Sequence, residues 1–277
     1  MKFKAFLTDN GVTLLEKRFF PALDKMGRIC HLYLTKDYAI FLHNLLNGDG
    51  VQSIAQFRKE ALFDDYRISS QNEDRIAFTV DLALLQRALR SSISISSTTT
   101  TTTVTDRLQI KLVKKLPPNS QQPMPFLSFE SKSAVVQEWA KPLSRADLLE
   151  LQTALDMAQD LPQTLVRVPD LGQLQSFVDR LKHVGDLLNI SVAQYGDLHL
   201  QVSTTLISLG QEFRKLQVVG VQAEEPPSYR DMSAQSRTEM AVQRGEAMSV
   251  FFIPGTRHND NSISLHCRLP VLDPGSG

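Results

Sequence analysis

Basic side chains cluster on the predicted helices of this chain. The chemistry that such a group of cations can perform is the attraction of anions. The group comprises Lys17, Arg18, Lys25, Arg28, Arg87, Arg90, Arg180, Lys182 and His183. Lysine and arginine contact phosphate groups without reading a base sequence. Glu16, Asp24 and Asp179 are interleaved with these cations, so ordinary solvated helix faces explain the same residues equally well.

The sequence lacks the residue patterns typical of catalysis or metal binding. None of its six histidines has the His-x-x-x-His spacing of a zinc site, and there is no glycine-rich phosphate loop or Gly-x-Ser-x-Gly elbow. Asp64 and Asp65 would point to opposite faces of a strand, so we expect charge on a turn rather than a metal pair. Cys30 and Cys267 lie in apolar strand candidates and are expected to be core thiols. We therefore expect no catalytic residue, no metal and no cofactor.

Length and charge narrow the class of protein. With 277 residues the chain is long enough for two domains. Its 30 lysines and arginines balance 30 acidic residues, so contact with nucleic acid would depend on locally concentrated charge. The N-terminal stretch lacks the apolar core of a signal peptide, and no apolar run reaches the ~20 residues that cross a bilayer. We expect a soluble intracellular protein.

The elements that position the cations follow a repeated order of strand, helix, strand, strand. In the first copy, residues 2–8 alternate as a strand, residues 12–26 have helical apolar spacing, and residues 29–35 and 38–45 are two further strands. Pro21 is expected to kink or shorten the helix, because it lacks an amide proton.

The second copy begins at Arg75. Strand 76–80, helix 81–91 and strands 108–113 and 126–129 are predicted, with a polar loop at 94–105 that contains six consecutive threonines.

A third copy gives the clearest signal. Strand 164–168 is followed by helix 170–184, with Asp170 as its N-cap, and by strands 187–194 and 197–204; residues 208–219 add one more strand.

The fourth copy is incomplete. The first two copies start 73 residues apart, at Lys2 and Arg75, but only 40 residues remain from Thr238 onward. We therefore expect an internal gap of roughly 33 residues near Val250 and Phe251. We expect the part after Thr238 to be poorly packed or rearranged. The predicted fold is α+β, with an N-terminal domain at 1–140, a connector at 141–162 and a shortened C-terminal domain at 163–277.

The chain resembles the sliding-clamp family, which includes the replication clamp PCNA, and within it the Hus-one branch of DNA-damage checkpoint clamps. The resemblance rests on the opening Met-Lys-Phe-Lys-Ala, the Phe-Arg-Lys-Glu-Ala-Leu-Phe run in a predicted strand at 51–63, the Leu-Gln-Arg-Ala-Leu helix at 82–89, and Phe-Phe-Ile-Pro at 251–254. It implies a PCNA-like DNA-clamp fold in which each domain contains two of the repeated units.

The resemblance also implies a function. A Hus-one subunit would form a heterotrimeric ring with the Rad-nine and Rad-one subunits, loaded by a complex containing Rad-seventeen. The ring would encircle double-stranded DNA without sequence specificity and recruit checkpoint and repair factors in the nucleus. Such a subunit is not an enzyme and needs no cofactor. The alternatives are a replicative-type homotrimeric clamp, or an isoform unable to assemble.

Two sets of site residues follow from the resemblance. In a closed clamp the polar helix faces point to the hole, so Lys17, Arg18, Lys25, Arg28, Arg87, Arg90, Arg180 and Lys182 are predicted to face DNA. Exposed edge strands pair between subunits, and the predicted edges, 135–139 and 208–219, include Val135, Val136, Glu138, Trp139, Leu209, Glu212, Arg214 and Lys215. The alternative for each edge is a strand merely protected by charge. The connector is either packed on the domain or part of a docking site for partner peptides.

Overall fold

A computed structural model describes most of the chain. The described residues are 1–46, 51–96, 108–116, 121–131, 135–158, 164–167, 170–220, 222–225, 227, 232–233, 248–252 and 263–269. The predicted loop at 94–105 therefore lies largely outside them, and the start of the fourth copy at Thr238 lies wholly outside them. The chain divides into two compact units: unit 1 is Met1–Gln159 with Ala247–Gly277, and unit 2 is Asp160–Glu246.

Unit 1 contains an antiparallel five-stranded sheet. Its order is β5–β1–β7–β8–β9. The strands are β1 (Lys2–Leu7), β5 (Phe63–Ser69), β7 (Gln109–Lys115), β8 (Met124–Glu130) and β9 (Val135–Trp139).

The second sheet of unit 1 has seven strands in the order β10–β6–β2–β3–β4–β17–β16. They are β2 (Ile29–Leu34), β3 (Tyr38–His43), β4 (Gln52–Arg58), β6 (Ile76–Asp81), β10 (Lys141–Pro142), β16 (Met248–Phe252) and β17 (Ile263–Leu269).

The two sequence copies in unit 1 exchange their first strands. β1 opens the first copy but pairs with β7 of the second, while β6 opens the second copy and pairs with β2 of the first. Each sheet therefore needs strands from both copies, and neither copy can complete its sheet alone.

The first helical segment runs in three stages. Helix α1 (Asp9–Thr13) leads into a π-helical stretch (Leu14–Phe19) and then into α2 (Phe20–Asp24), with Pro21 in the first turn of α2. The Phe20 amide donates to the Leu15 carbonyl in the π-helical pattern, and Pro21, which has no amide proton, stands where that pattern ends. The predicted kink thus takes the form of a local change in hydrogen-bond pattern.

Unit 1 has one main core under its helices. Helix α4 (Leu82–Ser96) buries Leu82, Leu85 and Leu89 at helical spacing. Phe19 meets Phe57 edge to face at a ring-centroid distance of 4.6 Å. Cys30 is buried, and burial raises the pKa of its thiol. Cys267 is half-buried against the same core, and burial raises its thiol pKa as well. Both thiols are free, as the sequence predicted.

Unit 2 is built from the third copy. Strand β11 (Thr164–Val166) pairs with β15 (Val218–Gly220), and β12 (Asn189–Val192), β13 (Leu198–Ser203) and β14 (Ser208–Phe213) form a three-stranded sheet. Helix α6 (Leu171–Leu181) packs on this sheet through Phe177 and Leu181. The strand order repeats that of the first copy, in which the first strand, β1, also pairs with the last, β5.

The predicted C-terminal domain, 163–277, is wrong in its last part, because the final strands belong to unit 1. Strand β17 pairs with β4 in antiparallel register, Ile263 opposite Phe57, and β16 pairs with β17. The last hairpin therefore completes a sheet of unit 1, because the outer edge of β4 has backbone groups that another strand can satisfy. The expected rearrangement after Thr238 takes this form in the described residues.

Two local predictions in unit 1 are also corrected. The predicted strand 51–63 is interrupted by a short helix, α3 (Lys59–Leu62). Asp64 and Asp65 lie within β5 and not on a turn, and Asp65 accepts a hydrogen bond from the Arg67 side chain at 3.0 Å. Their side chains alternate along the strand, so they do not form a metal pair.

A buried histidine makes unit 1 sensitive to acid. His43 Nε2 lies 2.8 Å from the Gly27 carbonyl oxygen, which can only accept, so Nε2 carries the proton and Nδ1 accepts from the Ser53 hydroxyl at 2.9 Å. Burial lowers the pKa of His43 below its usual value. The unfolded chain therefore takes up this proton first as pH falls.

We expect stability to be fully present above about pH 6.5 and to be lost as pH falls below it. Urea unfolding between about pH 8 and about pH 5.5 measures this loss. His43→Gln should flatten part of the pH dependence, while His183→Gln, at an exposed position, should not. Identical pH profiles for wild type and His43→Gln would contradict the assignment.

Candidate nucleic-acid interface and subunit edges

The first helical segment and α4 of unit 1 are joined through Glu16. Gln86 Nε2 donates to the Glu16 backbone carbonyl at 3.0 Å, and Arg90 Nε donates to the Glu16 carboxylate at 2.8 Å. These contacts hold two of the predicted cation-bearing helices next to each other. The sequence predicts a role for Arg90 but not for Gln86, because a glutamine on a helix belongs to no pattern that indicates a site.

Arg28 is anchored at the start of α4. Its Nε donates to Asp81 Oδ2 at 2.7 Å, while the other oxygen of Asp81 accepts the Leu84 amide at 3.1 Å and so caps the helix. One carboxylate thus positions both the helix start and a predicted DNA-facing cation.

The remaining predicted cations of unit 1 are less constrained. Lys17, Arg18, Lys25 and Arg87 are exposed, and none of them forms an ion pair with another residue of the described ranges. Arg87 and Arg90 stand three residues apart on α4 and share its exposed face.

The predicted cations of unit 2 lie at the end of α6. The Arg180 guanidinium lies over the Phe177 ring, 5.4 Å from its centroid. Lys182 Nζ is 2.8 Å from Asp179 Oδ1, and this contact lowers the pKa of the Asp179 carboxyl. Helix α6 ends at Leu181, before the predicted end at 184, so Lys182 is its C-cap residue and His183 follows it.

The ion pairs of Arg28, Arg90 and Lys182 leave these cations accessible to an anion. Arg28, Arg90 and Lys182 each keep more than half of the side chain exposed. The Asp81 and Glu16 side chains are each 15% exposed, whereas the Lys182–Asp179 pair is exposed on both sides. The exposed part of each cation can therefore contact a phosphate group while its ion pair is kept.

The first predicted subunit edge lies at the end of a sheet. β9 is the terminal strand of the five-stranded sheet and pairs with β8, with Val135 opposite Glu130 and Val136 opposite Phe129. Val135 is exposed, whereas Val136 packs on the core. Glu138 and Trp139 belong to the same strand, but their side chains lie outside the described set.

The second predicted edge is shorter than expected, and the single strand 208–219 is wrong. β14 ends at Phe213, and Lys215 takes a left-handed backbone conformation with φ of 55°. Its amide donates to Asp197 Oδ1 at 3.0 Å, which fixes a turn before β15 begins. Leu209 and Glu212 therefore lie on the edge strand β14, whereas Arg214 and Lys215 lie in the turn.

The connector forms a packed helix, α5 (Arg145–Ala158). Ser144 and Asp147 cap its start reciprocally, since the Asp147 amide donates to Ser144 Oγ at 3.1 Å and the Ser144 amide to Asp147 Oδ2 at 3.3 Å. Leu151 and Leu155 lie in an apolar cluster on the opposite face of the seven-stranded sheet from the main core. Among the described helices, none is both long and apolar enough to span a bilayer.

A side-chain hydrogen bond that the sequence did not reveal fastens the connector. The Tyr33 hydroxyl of β2 donates to the Gln152 side-chain carbonyl of α5. The contact spans 119 residues of sequence, and periodicity within each element gives no information on such a distant partner.

Comparison with known proteins decides the family. The family described as Hus1-like protein matches residues 1–252. The chain belongs to the Hus1-like family. The α+β class expected from the sequence is confirmed by the described strands and helices.

Two curated proteins similar to this Hus1-like chain agree with this family assignment, since both are named as Hus1 checkpoint proteins. It is 27% identical over 212 residues to the checkpoint protein hus1 homolog of Dictyostelium discoideum, covering 74% of this chain and 70% of that protein. It is 24% identical over 222 residues to the human checkpoint protein HUS1, covering 78% and 74%. A solved structure of the C-terminal region of FEN-1 bound to A. fulgidus PCNA is similar with a TM-score of 0.49 and 9% identity, covering 98% of this chain and 99% of that chain.

Two leucines of α5 form a matched test of connector packing. Leu151 is 0% exposed and Leu149 is 72% exposed on the same helix. We expect Leu151→Ala to lower the free energy of unfolding of unit 1 by about 2–5 kcal/mol, because it leaves a cavity. Leu149→Ala should change it by less than about 0.5 kcal/mol. Urea denaturation checks both values; equal effects would mean that α5 is not docked as described.

Proposed function

We propose that this chain is a non-catalytic subunit of a ring-shaped DNA-damage checkpoint clamp that encircles double-stranded DNA and recruits checkpoint and repair factors. Its partners in this proposal are the Rad-nine and Rad-one clamp subunits, and a loader containing Rad-seventeen places the ring on DNA in the nucleus. The observation that carries the proposal is the Hus1-like family match over residues 1–252.

The helix pair of unit 1, which is the first helical segment with α4, supports the proposed DNA-facing role. Its exposed cations, including Lys17, Arg18 and Arg87, are free of ion pairs with other described residues and lie on helices that contact each other. Mobile cations attract phosphates without fixing a register, as a ring that moves along DNA requires. The chain thus supplies a charged lining through long side chains and needs no reaction centre.

Strand edges support the assembly role. β9 and β14 are each the terminal strand of a sheet among the described elements. A terminal strand offers backbone groups to a strand from another chain. β14 begins beside exposed Leu206 and Ile207, which add apolar surface at that edge.

Co-expression tests the partner assignment. The full chain is expected to co-purify with Rad-nine and Rad-one as a complex of one copy each, measured by size-exclusion chromatography with light scattering. A homotrimer that excludes both partners would favour a replicative-type clamp. A chain that binds neither itself nor the partners would identify an isoform unable to assemble. Either result overturns the proposal.

Alanine substitutions test the DNA-facing cations. In the assembled ring, Lys17→Ala with Arg87→Ala should weaken binding to double-stranded DNA and reduce the slope of log affinity against log salt by about 2, one for each lost phosphate contact. The control is Lys36→Ala, an exposed lysine in the turn between β2 and β3 that pairs with Asp74. Fluorescence anisotropy over a salt series measures the slope. An equal loss in the control would show that net charge, not this helix pair, attracts DNA.

A further inference from the structure

Three side chains that can bind a metal lie close together at the three-stranded sheet of unit 2, and a buried serine stands next to them in strand register. His199 lies on the central strand β13, with Glu212 of β14 directly opposite on one side and Ser191 of β12 directly opposite on the other. Asp197 immediately precedes β13, and one of its carboxylate oxygens lies within 4.8 Å of a ligand atom of His199 and of Glu212. Three strands therefore bring these side chains together around His199.

The cluster has the separation and burial of a metal-binding site. One ligand atom from each of Asp197, His199 and Glu212 lies within 4.8 Å of the other two. Asp197 is 3% exposed and His199 is 2% exposed. The Glu212 side chain is 13% exposed. Carboxylates with so little contact with water need positive or hydrogen-bonding partners, because an uncompensated buried charge is costly.

Ser191 provides an independent indication of a ligand. Its side chain is 4% exposed, and its hydroxyl has no hydrogen-bond partner within the described residues. Buried polar atoms are nearly always satisfied, so such a hydroxyl calls for a specific explanation, for example an ion. The hydroxyl belongs to the residue that pairs with His199 across the sheet.

Protein groups already contact the carboxylates of this cluster. Arg214 donates to both Glu212 oxygens, from Nε at 2.8 Å and from Nη2 at 3.2 Å. The Lys215 amide donates to Asp197 Oδ1, and His199 Nε2 lies 3.8 Å from Glu212 Oε1. Each carboxylate oxygen also has a second lone pair.

We propose that Asp197, His199 and Glu212, with the Ser191 hydroxyl as a further oxygen ligand, bind a divalent transition-metal ion such as Zn²⁺. An imidazole nitrogen combined with carboxylate oxygens suits Zn²⁺ or Mn²⁺ better than a thiolate-selective ion. The ion ties β12, β13 and β14 together in a unit with a small apolar core. Its role is structural, since Ser191, His199 and Glu212 lie in the three strands of the sheet and Asp197 immediately precedes β13.

Metal titration of the full chain tests the site. After removal of metals with a chelator, isothermal titration should show one Zn²⁺ site per chain that is lost, or weakened at least ~10-fold, in Asp197→Asn and in His199→Gln. Co²⁺ in its place should give visible absorption bands that disappear in the same variants. His183→Gln, an exposed histidine of the same unit, is the matched control and should bind like wild type.

Two milder variants keep the test decisive if the buried substitutions unfold unit 2. Ser191→Ala should weaken Zn²⁺ binding while preserving the circular dichroism spectrum. Arg214→Gln should tighten it several-fold, because Glu212 no longer shares its oxygens with a guanidinium. Zn²⁺ binding that is absent in wild type, or unchanged in both milder variants, overturns the proposal.

Discussion

The exchange of first strands between the two copies in unit 1 is the constraint on which the rest of this structure depends. β1 completes the sheet of the second copy and β6 completes the sheet of the first. Because each sheet contains strands from both copies, the segments between them must cross from one sheet to the other. Those segments are the first helical segment and α4, so the same exchange that closes the core also brings the cation-bearing helices together.

Acidic residues hold two arginines in position beside the first helical segment and on α4. Glu16 and Asp81 are mostly buried carboxylates that orient Arg90 and Arg28, while both arginines remain largely exposed. Because an unpaired buried carboxylate is costly, each pair keeps its guanidinium in place. Each arginine uses Nε in this contact, and a guanidinium has further N–H donors. The acidic partners therefore orient these cations without covering them.

Unit 2 shows what a single copy can build. Its apolar cluster contains six buried residues, and Leu171 and Val178 of α6 remain exposed. In unit 1 a second helix packs beside the first, whereas within the described residues of unit 2 α6 is the one helix of that kind. The last hairpin, which the repeat pattern assigned to this half of the chain, instead extends the sheet of unit 1 beside β4.

The sequence by itself determined the local elements and the family. Alternation and helical spacing located β1, α4, α6 and most other elements to within a few residues, because these periods reflect which face of an element is buried. Asp170 was identified as an N-cap from residue type alone, and its side chain accepts the Gln173 amide at 3.0 Å. Only the tertiary structure decided which strands pair across the chain, where the last hairpin docks, and that Lys215 turns the backbone before β15. The cluster of Asp197, His199 and Glu212 was likewise decided only by the tertiary structure. Each of these depends on contacts between residues distant in sequence, and the period of one element contains no information about its distant partner.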